Sequence, residues 1–270
     1  MTMIKVCAAG ACGRMCGLVV KGILESKKMQ LVCAVDAPDS PHEGKDIGLI
    51  IGTEKARVSV SGANKLAGVL KEKKPDVLVD FTVADAAVKN AEAAAANGVN
   101  LVIGTTGFSD EQLNKIKKTV ERNKISAVVY PNMSVGVNVL FKLAKDVSEK
   151  LKDYDIEIVE AHHINKLDSP SGTAVKLAEI ISKETGKPIK YGRGKENQKR
   201  GNEITVHSIR TGDVVGDHTV IFAAPGERLE LVHKATSRQT FANGAIKAIE
   251  FVAGKRDGRV YGMDDVLGLK

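Results

Sequence analysis

Two adjacent histidines and a nearby lysine form the segment of this 270-residue sequence with the clearest chemistry. His162 and His163 end an apolar, strand-like stretch, and Lys166 follows on the same loop. Imidazole and amine groups exchange protons and attract anions. Residues 171–173, Ser-Gly-Thr, then open a helix whose unpaired N–H groups suit a carboxylate. The segment predicts an anionic substrate and a proton-transfer step.

Other roles for these residues stay open at this point. The adjacent histidines are also possible metal ligands, but zinc needs further ligands and only scattered histidines at positions 207, 218 and 233 are available. Lys166 as a solvated loop charge and Ser171 as a helix cap are the plainer alternatives. We predict no metal site.

A glycine-rich turn near the start of the sequence predicts a dinucleotide site. Gly10 and Gly13 allow a tight turn and a close approach to a pyrophosphate, and the helix that follows has a positive dipole end. Cys16 stands where a third glycine is usual, and a small thiol fits there if helix and strand separate slightly. The predicted cofactor contacts in this turn are Gly10, Ala11, Cys12, Gly13, Arg14 and Met15.

An aspartate at the end of the second predicted strand refines the cofactor. Asp36 lies about twenty residues beyond the glycine turn, where a carboxylate can accept hydrogen bonds from the ribose hydroxyls. Ala37 and Pro38 follow, so a 2′-phosphate would meet an acid without a cationic partner. The sequence predicts NADH as the preferred cofactor, with NADPH as the alternative; a plain turn is the other role for Asp36.

Two further strand ends are expected at the same edge of the sheet, where ligands of such folds bind. Small residues and backbone groups there can line a nicotinamide. The predicted contacts are Gly104, Thr105 and Thr106 after one strand, and Tyr130, Pro131, Asn132 and Met133 after another.

The elements that must position these residues alternate in the first half of the chain. Apolar, β-branched stretches at residues 4–9, 31–35, 77–81, 101–104 and 126–130 predict buried parallel strands. Helices are predicted between most of them, one over residues 84–97 and one capped by Ser109. The fold class is therefore α/β, with an N-terminal Rossmann-type, doubly wound parallel sheet.

The pattern changes after about residue 133. A helix over residues 137–152, a strand over 155–161 and a helix from Ser171 are followed by alternating strands at 203–210, 217–224 and 228–235. This order predicts a second α+β domain with a mostly antiparallel sheet. We place the dinucleotide-binding domain at residues 1–133, with residues 241–270 returning to it, and the substrate-binding and oligomerisation domain at residues 134–240.

Composition limits the partners. The net charge is +7, but aromatic residues are only 4% and much of the basic excess lies in a glycine-containing loop at residues 190–200, so nucleic-acid binding is not expected. All cysteines lie within the first 33 residues and are interpreted as buried thiols rather than disulfides or metal ligands. No apolar stretch is long enough to cross a membrane, and a cytoplasmic protein is predicted.

The histidine loop also carries a family resemblance. Residues 157–174 resemble the signature of the dihydrodipicolinate reductases, also called 4-hydroxy-tetrahydrodipicolinate reductases. The glycine turn with Arg14 and Met15, the turn at residues 104–107, and the motifs at residues 132–138, 211–216 and 237–244 resemble that family in the same order. The departure is Cys16 in place of glycine.

The resemblance implies a function. It makes the protein an NAD(P)H-dependent reductase of a cyclic unsaturated dicarboxylate in lysine and diaminopimelate biosynthesis. It makes His162 the proton donor/acceptor and Lys166 the proton donor. It makes His163, Ser171, Gly172, Thr173 and Arg238 substrate ligands. It also implies a homotetramer assembled through the sheet of the second domain.

Three other functions are alternatives. A non-catalytic NADH sensor would leave the histidine loop unexplained. A dehydrogenase acting on acyl phosphates would need a nucleophilic cysteine, and no cysteine lies near that loop in sequence. A zinc hydrolase would need the missing metal ligands.

Overall fold

The computed structural model describes residues 3–195 and 197–269. The chain divides into two compact units, one formed by the described parts of Met1–Val135 and Gln239–Lys270 and the other by Gly136–Arg238. Among the described residues, no helix combines the length and the apolar character needed to cross a membrane.

The strands and helices alternate through most of the chain. In chain order the strands are β1 (Ile4–Ala9), β2 (Met29–Asp36), β3 (Val60–Gly62), β4 (Val77–Asp80), β5 (Asn100–Ile103), β6 (Ala127–Val129), β7 (Asp155–His162), β8 (Ile189–Tyr191), β9 (Ile204–Arg210), β10 (Gly216–Ala224), β11 (Glu227–Ala235) and β12 (Val260–Tyr261). The α-helices are α1 (Arg14–Glu25), α2 (Ile47–Ile50), α3 (Leu66–Lys73), α4 (Ala84–Ala96), α5 (Asp110–Asn123), α6 (Val135–Lys150), α7 (Gly172–Thr185), α8 (Gln239–Val252) and α9 (Met263–Leu267).

The first unit is built on a seven-stranded sheet in the order β3-β2-β1-β4-β5-β6-β12, with every named pairing parallel. Apart from the additional β12, this is the Rossmann strand order, in which the connections reverse direction between β1 and β4. Apolar residues cover both faces: α1 and α8 contribute to the core on one face, and α3, α4 and α5 to the core on the other. The predicted doubly wound sheet is confirmed.

The second unit is built on a five-stranded sheet in the order β11-β10-β7-β9-β8. β10 pairs antiparallel with both β11 and β7, whereas β9 pairs parallel with β7 and with β8. The predicted α+β unit with a second sheet is confirmed, and the sheet is mixed. Residues of α6 and α7 pack with the apolar face of the sheet around Phe222.

The alternation of burial along β7 decides which side chains meet the helices. Ile156, Ile158, Glu160 and His162 are buried, and the residues between them are partly exposed. Successive side chains of a strand point to opposite faces, so Glu160 and His162 share the buried face with the two isoleucines.

The basic segment at residues 190–200 is not only a solvated loop. β8 occupies its beginning, and Arg200 is 2.8 Å from both a Glu157 oxygen and an Asp155 oxygen. Arg193 lies 3.3 Å from Glu203. These ion pairs join the segment to the neighbouring strands, which lowers the number of charges free to meet a partner.

Candidate functional sites

The glycine turn lies at the carboxyl end of β1 and begins α1. Gly10 has φ of +71°, and a Cβ on it would lie 3.0 Å from the Phe81 carbonyl oxygen. Gly13 is the N-cap of α1, and no side chain of the described residues caps that helix. The Gly13 N–H bonds to the Gly10 carbonyl at 2.9 Å within the turn, whereas the N-terminus of α1 has no side-chain cap among the described residues, which fits a pyrophosphate.

Asp36 ends β2 beside this turn. Its Oδ1 accepts a hydrogen bond from the Ala37 N–H at 2.9 Å. The thiol of Cys12 lies against the same carboxylate; burial first, and Asp36 second, raise the pKa of Cys12 to about 12. Because of this raised pKa, Cys12 stays a neutral thiol near Asp36. It is therefore unreactive, since only the thiolate is a nucleophile.

Cys16 belongs to the apolar core beneath the turn. Its side chain is buried, and burial followed by the charges of Asp80 and Asp36 raises its pKa well above the ordinary value. The cysteine thus replaces the usual glycine by packing into the core shared by β1 and α1. All four cysteines are free thiols.

A buried aspartate at the end of β4, absent from the predicted site residues, joins the neighbouring strand ends. Asp80 accepts hydrogen bonds from the Thr82 N–H at 2.9 Å, the Thr105 hydroxyl at 3.0 Å and the Asn90 amide at 2.7 Å. A Cβ on Gly104 would lie 2.2 Å from the Phe81 ring. A charge in an otherwise apolar strand, at the sheet edge that binds ligands, was the signal that marks Asp80.

The segment after β6 continues the same edge of the sheet. The Tyr130 N–H bonds to the Ile103 carbonyl at 3.1 Å, and the Asn132 Oδ1 accepts from the Ser134 N–H at 3.0 Å. Met133 is buried, whereas Pro131 is exposed, as is Thr106 on the preceding loop. The structure therefore brings these predicted cofactor residues to strand ends of one sheet.

A separate candidate site, in the second unit, surrounds His162 at the end of β7. Its Nδ1 lies 2.6 Å from Glu160 Oε2, and its ring lies edge-on to His218 with centroids 5.2 Å apart. Glu160 is fully buried, and Arg210 donates to both of its oxygens, at 2.9 and 2.8 Å. Burial by itself raises the pKa of Glu160, but the hydrogen bonds from His162, Arg210, Ser208 and Ser171 outweigh it and leave the pKa far below its ordinary value.

Lys166 lies on the loop that follows His162. Its Nζ is 2.8 Å from Asp168 Oδ1, and its side chain is 22% exposed, so the amine remains reachable. Burial raises the pKa of Asp168, but Lys166 outweighs burial and leaves that pKa below its ordinary value. Arg210 Nη2 also donates to the Asp168 carbonyl at 2.6 Å, which ties the loop to β9.

Ser171 is the N-cap of α7. Its hydroxyl accepts from the Ala174 N–H at 3.2 Å and contacts His218 Nε2 at 3.0 Å, and its own N–H donates to Glu160 at 3.0 Å. The capping role considered from the sequence is therefore present. Gly172 behind it is exposed, and a Cβ added there would meet no atom within 4 Å. Packing within the protein does not require that glycine.

His163, Thr173 and Arg238 are placed differently from one another. His163 and Thr173 are half-buried, at the two ends of the histidine loop. Arg238 is exposed after β11, and among the described residues no hydrogen bond or ion pair joins it to that loop. Within residues 3–195 and 197–269, no group of three or more His, Cys, Asp or Glu side chains is placed to hold a metal ion.

Acid should destabilise the protein through His218. Burial, with the charge of His162 second, lowers the pKa of His218 from 6.5 to about 3. Between those pH values the imidazole of His218 is protonated in the unfolded chain but not in the folded one. The free energy of unfolding is therefore undiminished by this group above pH 6.5, and it decreases as the pH falls toward about 3. We expect His218→Gln to flatten the acid limb of the unfolding free energy by up to ~1.4 kcal/mol per pH unit. Urea unfolding across this window measures the slope, and an unchanged slope would contradict the assignment.

The family is decided by matches that cover almost the whole chain. Residues 4–133 match the model of the dihydrodipicolinate reductase N-terminus, and residues 136–267 match that of its C-terminus. The chain belongs to the dihydrodipicolinate reductase family. The resemblance inferred from the histidine loop is thus confirmed, and the chain is an oxidoreductase of that family rather than a sensor or a hydrolase.

Two relatives and one solved structure support the same family assignment. The 4-hydroxy-tetrahydrodipicolinate reductase of Methanocaldococcus jannaschii is 52% identical over 99% of this chain and 98% of its own length. That of Methanothermobacter thermautotrophicus is 49% identical over 99% of this chain and all of its own. The dipicolinate-bound dihydrodipicolinate reductase from Paenisporosarcina sp. TG-14 has a TM-score of 0.79 at 28% identity, covering 97% of this chain and 98% of that one.

Proposed function

We propose that this chain is a 4-hydroxy-tetrahydrodipicolinate reductase that forms tetrahydrodipicolinate for lysine and diaminopimelate biosynthesis. The substrate takes up a hydride and a proton, and water leaves. The observation that carries the proposal is the full-length match to curated reductases, together with a histidine-lysine loop that leads into the N-terminus of α7.

The first unit binds the cofactor in this proposal. When bound, the reduced nicotinamide supplies the hydride. The bare turn at Gly10 and Gly13 holds the pyrophosphate, and Asp36 accepts from the ribose. Residues 104–106 and 130–133 line the remaining strand ends, with Asp80 holding Thr105 in place.

The second unit binds the dicarboxylate. Its carboxylates are held by the basic side chains of the histidine loop with Arg238, and by the N-terminal turn of α7 at Gly172 and Thr173, where the helix dipole is positive. His163 and Ser171 complete this set. A glycine at position 172 leaves room for a ligand close to the backbone, which supports its role.

His162 and Lys166 handle the proton. Lys166 is charged beside Asp168 and partly exposed, so it can donate to the carbon that gains electron density. His162 takes up and returns protons at the buried end of β7. Orientation and charge neutralisation supply the rest of the catalysis.

Assembly and location follow the family pattern in this proposal. We place the chain in the cytoplasm, where its free thiols are maintained, and in a homotetramer built through the sheet of the second unit. Ile209 and Val232 lie on strands of that sheet and are 45% and 50% exposed, which supports a protein-protein contact there. Light scattering of the purified protein tests the assembly.

NADH is the proposed preferred cofactor. A 2′-phosphate would face the Asp36 carboxylate, and repulsion between like charges a few ångströms apart costs enough to expect at least a ~10-fold higher kcat/KM with NADH. Asp36→Ser should bring the kcat/KM values for NADH and NADPH closer together. Steady-state kinetics with both cofactors measure it, and a much lower KM for NADPH in the unmodified protein would refute the assignment of Asp36.

A further inference from the structure

We propose that Glu160 is the positioning residue that holds His162 in the tautomer protonated at Nδ1, so that Nε2 is the atom that exchanges protons with the ligand. The idea rests on the proposed function, because His162 is assumed to act on the dicarboxylate. Glu160 itself touches His162 and not the substrate.

The hydrogen bond between the two side chains fixes where the proton lies. His162 Nδ1 and Glu160 Oε2 are 2.6 Å apart, and the depressed pKa of Glu160 keeps the carboxylate ionised. An ionised carboxylate only accepts hydrogen bonds, so the shared hydrogen belongs to Nδ1. The bond made by one imidazole nitrogen decides what the other one presents, and here Nε2 is left to accept or donate.

The carboxylate is itself held rigidly. Oε1 receives the Ser171 N–H at 3.0 Å and Arg210 Nη2 at 2.8 Å, while Oε2 receives Arg210 Nη1 at 2.9 Å as well as His162. A bidentate guanidinium fixes the plane of a carboxylate. Glu160 therefore orients the imidazole rather than merely neutralising a charge.

The opposite side of the ring is kept clear by a glycine. A Cβ on Gly216 would lie 3.1 Å from His162 Nε2, closer than most Cβ contacts. The glycine φ here is not in the left-handed region, so backbone strain does not explain its presence. Glu160 on one side and Gly216 on the other thus define which nitrogen is available.

The Glu160→Gln variant tests whether Glu160 sets the tautomer of His162. Oε1 remains engaged by the Ser171 N–H and Arg210 Nη2, so the new amide NH₂ falls at the Oε2 position. There it displaces the Arg210 Nη1 donor and donates to His162 Nδ1, which forces the proton to Nε2. We expect kcat to fall by ~10-fold or more, the scale of losing a group that orients a catalytic imidazole or metal ligand. KM for NADH should stay within about twofold, because the first unit is untouched.

The tautomer itself gives a readout that a merely structural role would not move. The chain has only six histidines, so ring-¹⁵N-labelled histidine spectra can be assigned with a His162→Gln variant. Unmodified protein should show His162 protonated at Nδ1, and Glu160→Gln should show it protonated at Nε2. Gly216→Ala should lower kcat with the Nδ1 tautomer unchanged.

Glu157→Gln is the matched control. Glu157 lies on the same strand and also pairs with a histidine and an arginine, with His207 Nε2 at 2.9 Å and Arg200 Nε at 2.8 Å. This variant should retain kcat within about twofold. A folded Glu160→Gln protein with unchanged kcat and an unchanged His162 tautomer would overturn the proposal. A His162 protonated at Nε2 in the unmodified protein would also overturn it, and this measurement decides the question even if Glu160→Gln does not fold. Absence of reductase activity in the unmodified protein would instead refute the proposed function.

Discussion

Lys166→Ala is expected to lower kcat by ~100-fold or more, the range that a positioned general acid contributes. The amine lies 2.8 Å from Asp168 and is partly exposed, so it is charged, oriented and reachable. Removing it takes away the proton donor and one cation that faces the substrate, so KM for the dicarboxylate should rise as well.

Lys142→Ala provides the control for that result. Lys142 pairs with Asp146 at the same 2.8 Å distance and belongs to the same unit, but it lies on α6. Its removal should leave kcat and KM nearly unchanged. Steady-state kinetics of the three proteins decide the matter, and full turnover by Lys166→Ala would remove this lysine from the mechanism.

Gly10→Ala should weaken NADH binding by ~10-fold or more, because its Cβ enters a part of the turn that has no room for it. The residue has φ of +71°, which costs a non-glycine residue ~1–2 kcal/mol, and the added carbon would lie 3.0 Å from the Phe81 carbonyl oxygen. Relieving either strain moves the backbone that faces the pyrophosphate, and each ~1.4 kcal/mol lost is tenfold in affinity.

Gly98→Ala separates backbone strain from cofactor binding. Gly98 has φ of +67°, but no atom lies within 4 Å of an added Cβ, and it precedes β5 at the opposite edge of the sheet. Both variants should lose unfolding free energy of ~1–2 kcal/mol, while only Gly10→Ala should lose NADH affinity. Isothermal titration with NADH measures the difference, and equal affinities would show that the turn does not hold the cofactor.

The long, strongly patterned elements were predictable from sequence. Apolar β1 and β4, the Ser109 capping box of α5 and the Ser171 cap of α7 all carry local physical cues that the structure retains. β3, β8 and β12 are only two or three residues long, so no periodicity could reveal them.

Strand direction in the second sheet was harder to predict. Short turns make β10 and β11 antiparallel neighbours, as expected, but β9 aligns parallel with β7 because a long connection containing α7 and β8 separates them. When two paired strands are distant in sequence, no local sequence pattern shows that they pair.

The same distinction applies to the site. His162, Lys166 and the glycine turn were visible because unusual residue types cluster in sequence. Arg210 is 50 residues from Glu160, and Asp80 is 25 residues from Thr105, so their hydrogen bonds exist only after folding. Glu160 could have been found from alternation alone, since it falls on the buried face of a strand that ends in His162.

The central claim is that the loop at residues 162–173 handles a cyclic dicarboxylate that is reduced at the expense of NADH. The most direct test is a coupled assay in which a synthase forms the substrate, 4-hydroxy-tetrahydrodipicolinate, in the presence of NADH or NADPH. The loss of reduced-nicotinamide absorbance is then followed. We predict rapid loss that depends on the synthase product, is faster with NADH, and falls at least ~100-fold in Lys166→Ala. No loss with either cofactor, or loss independent of the synthase product, would contradict the claim.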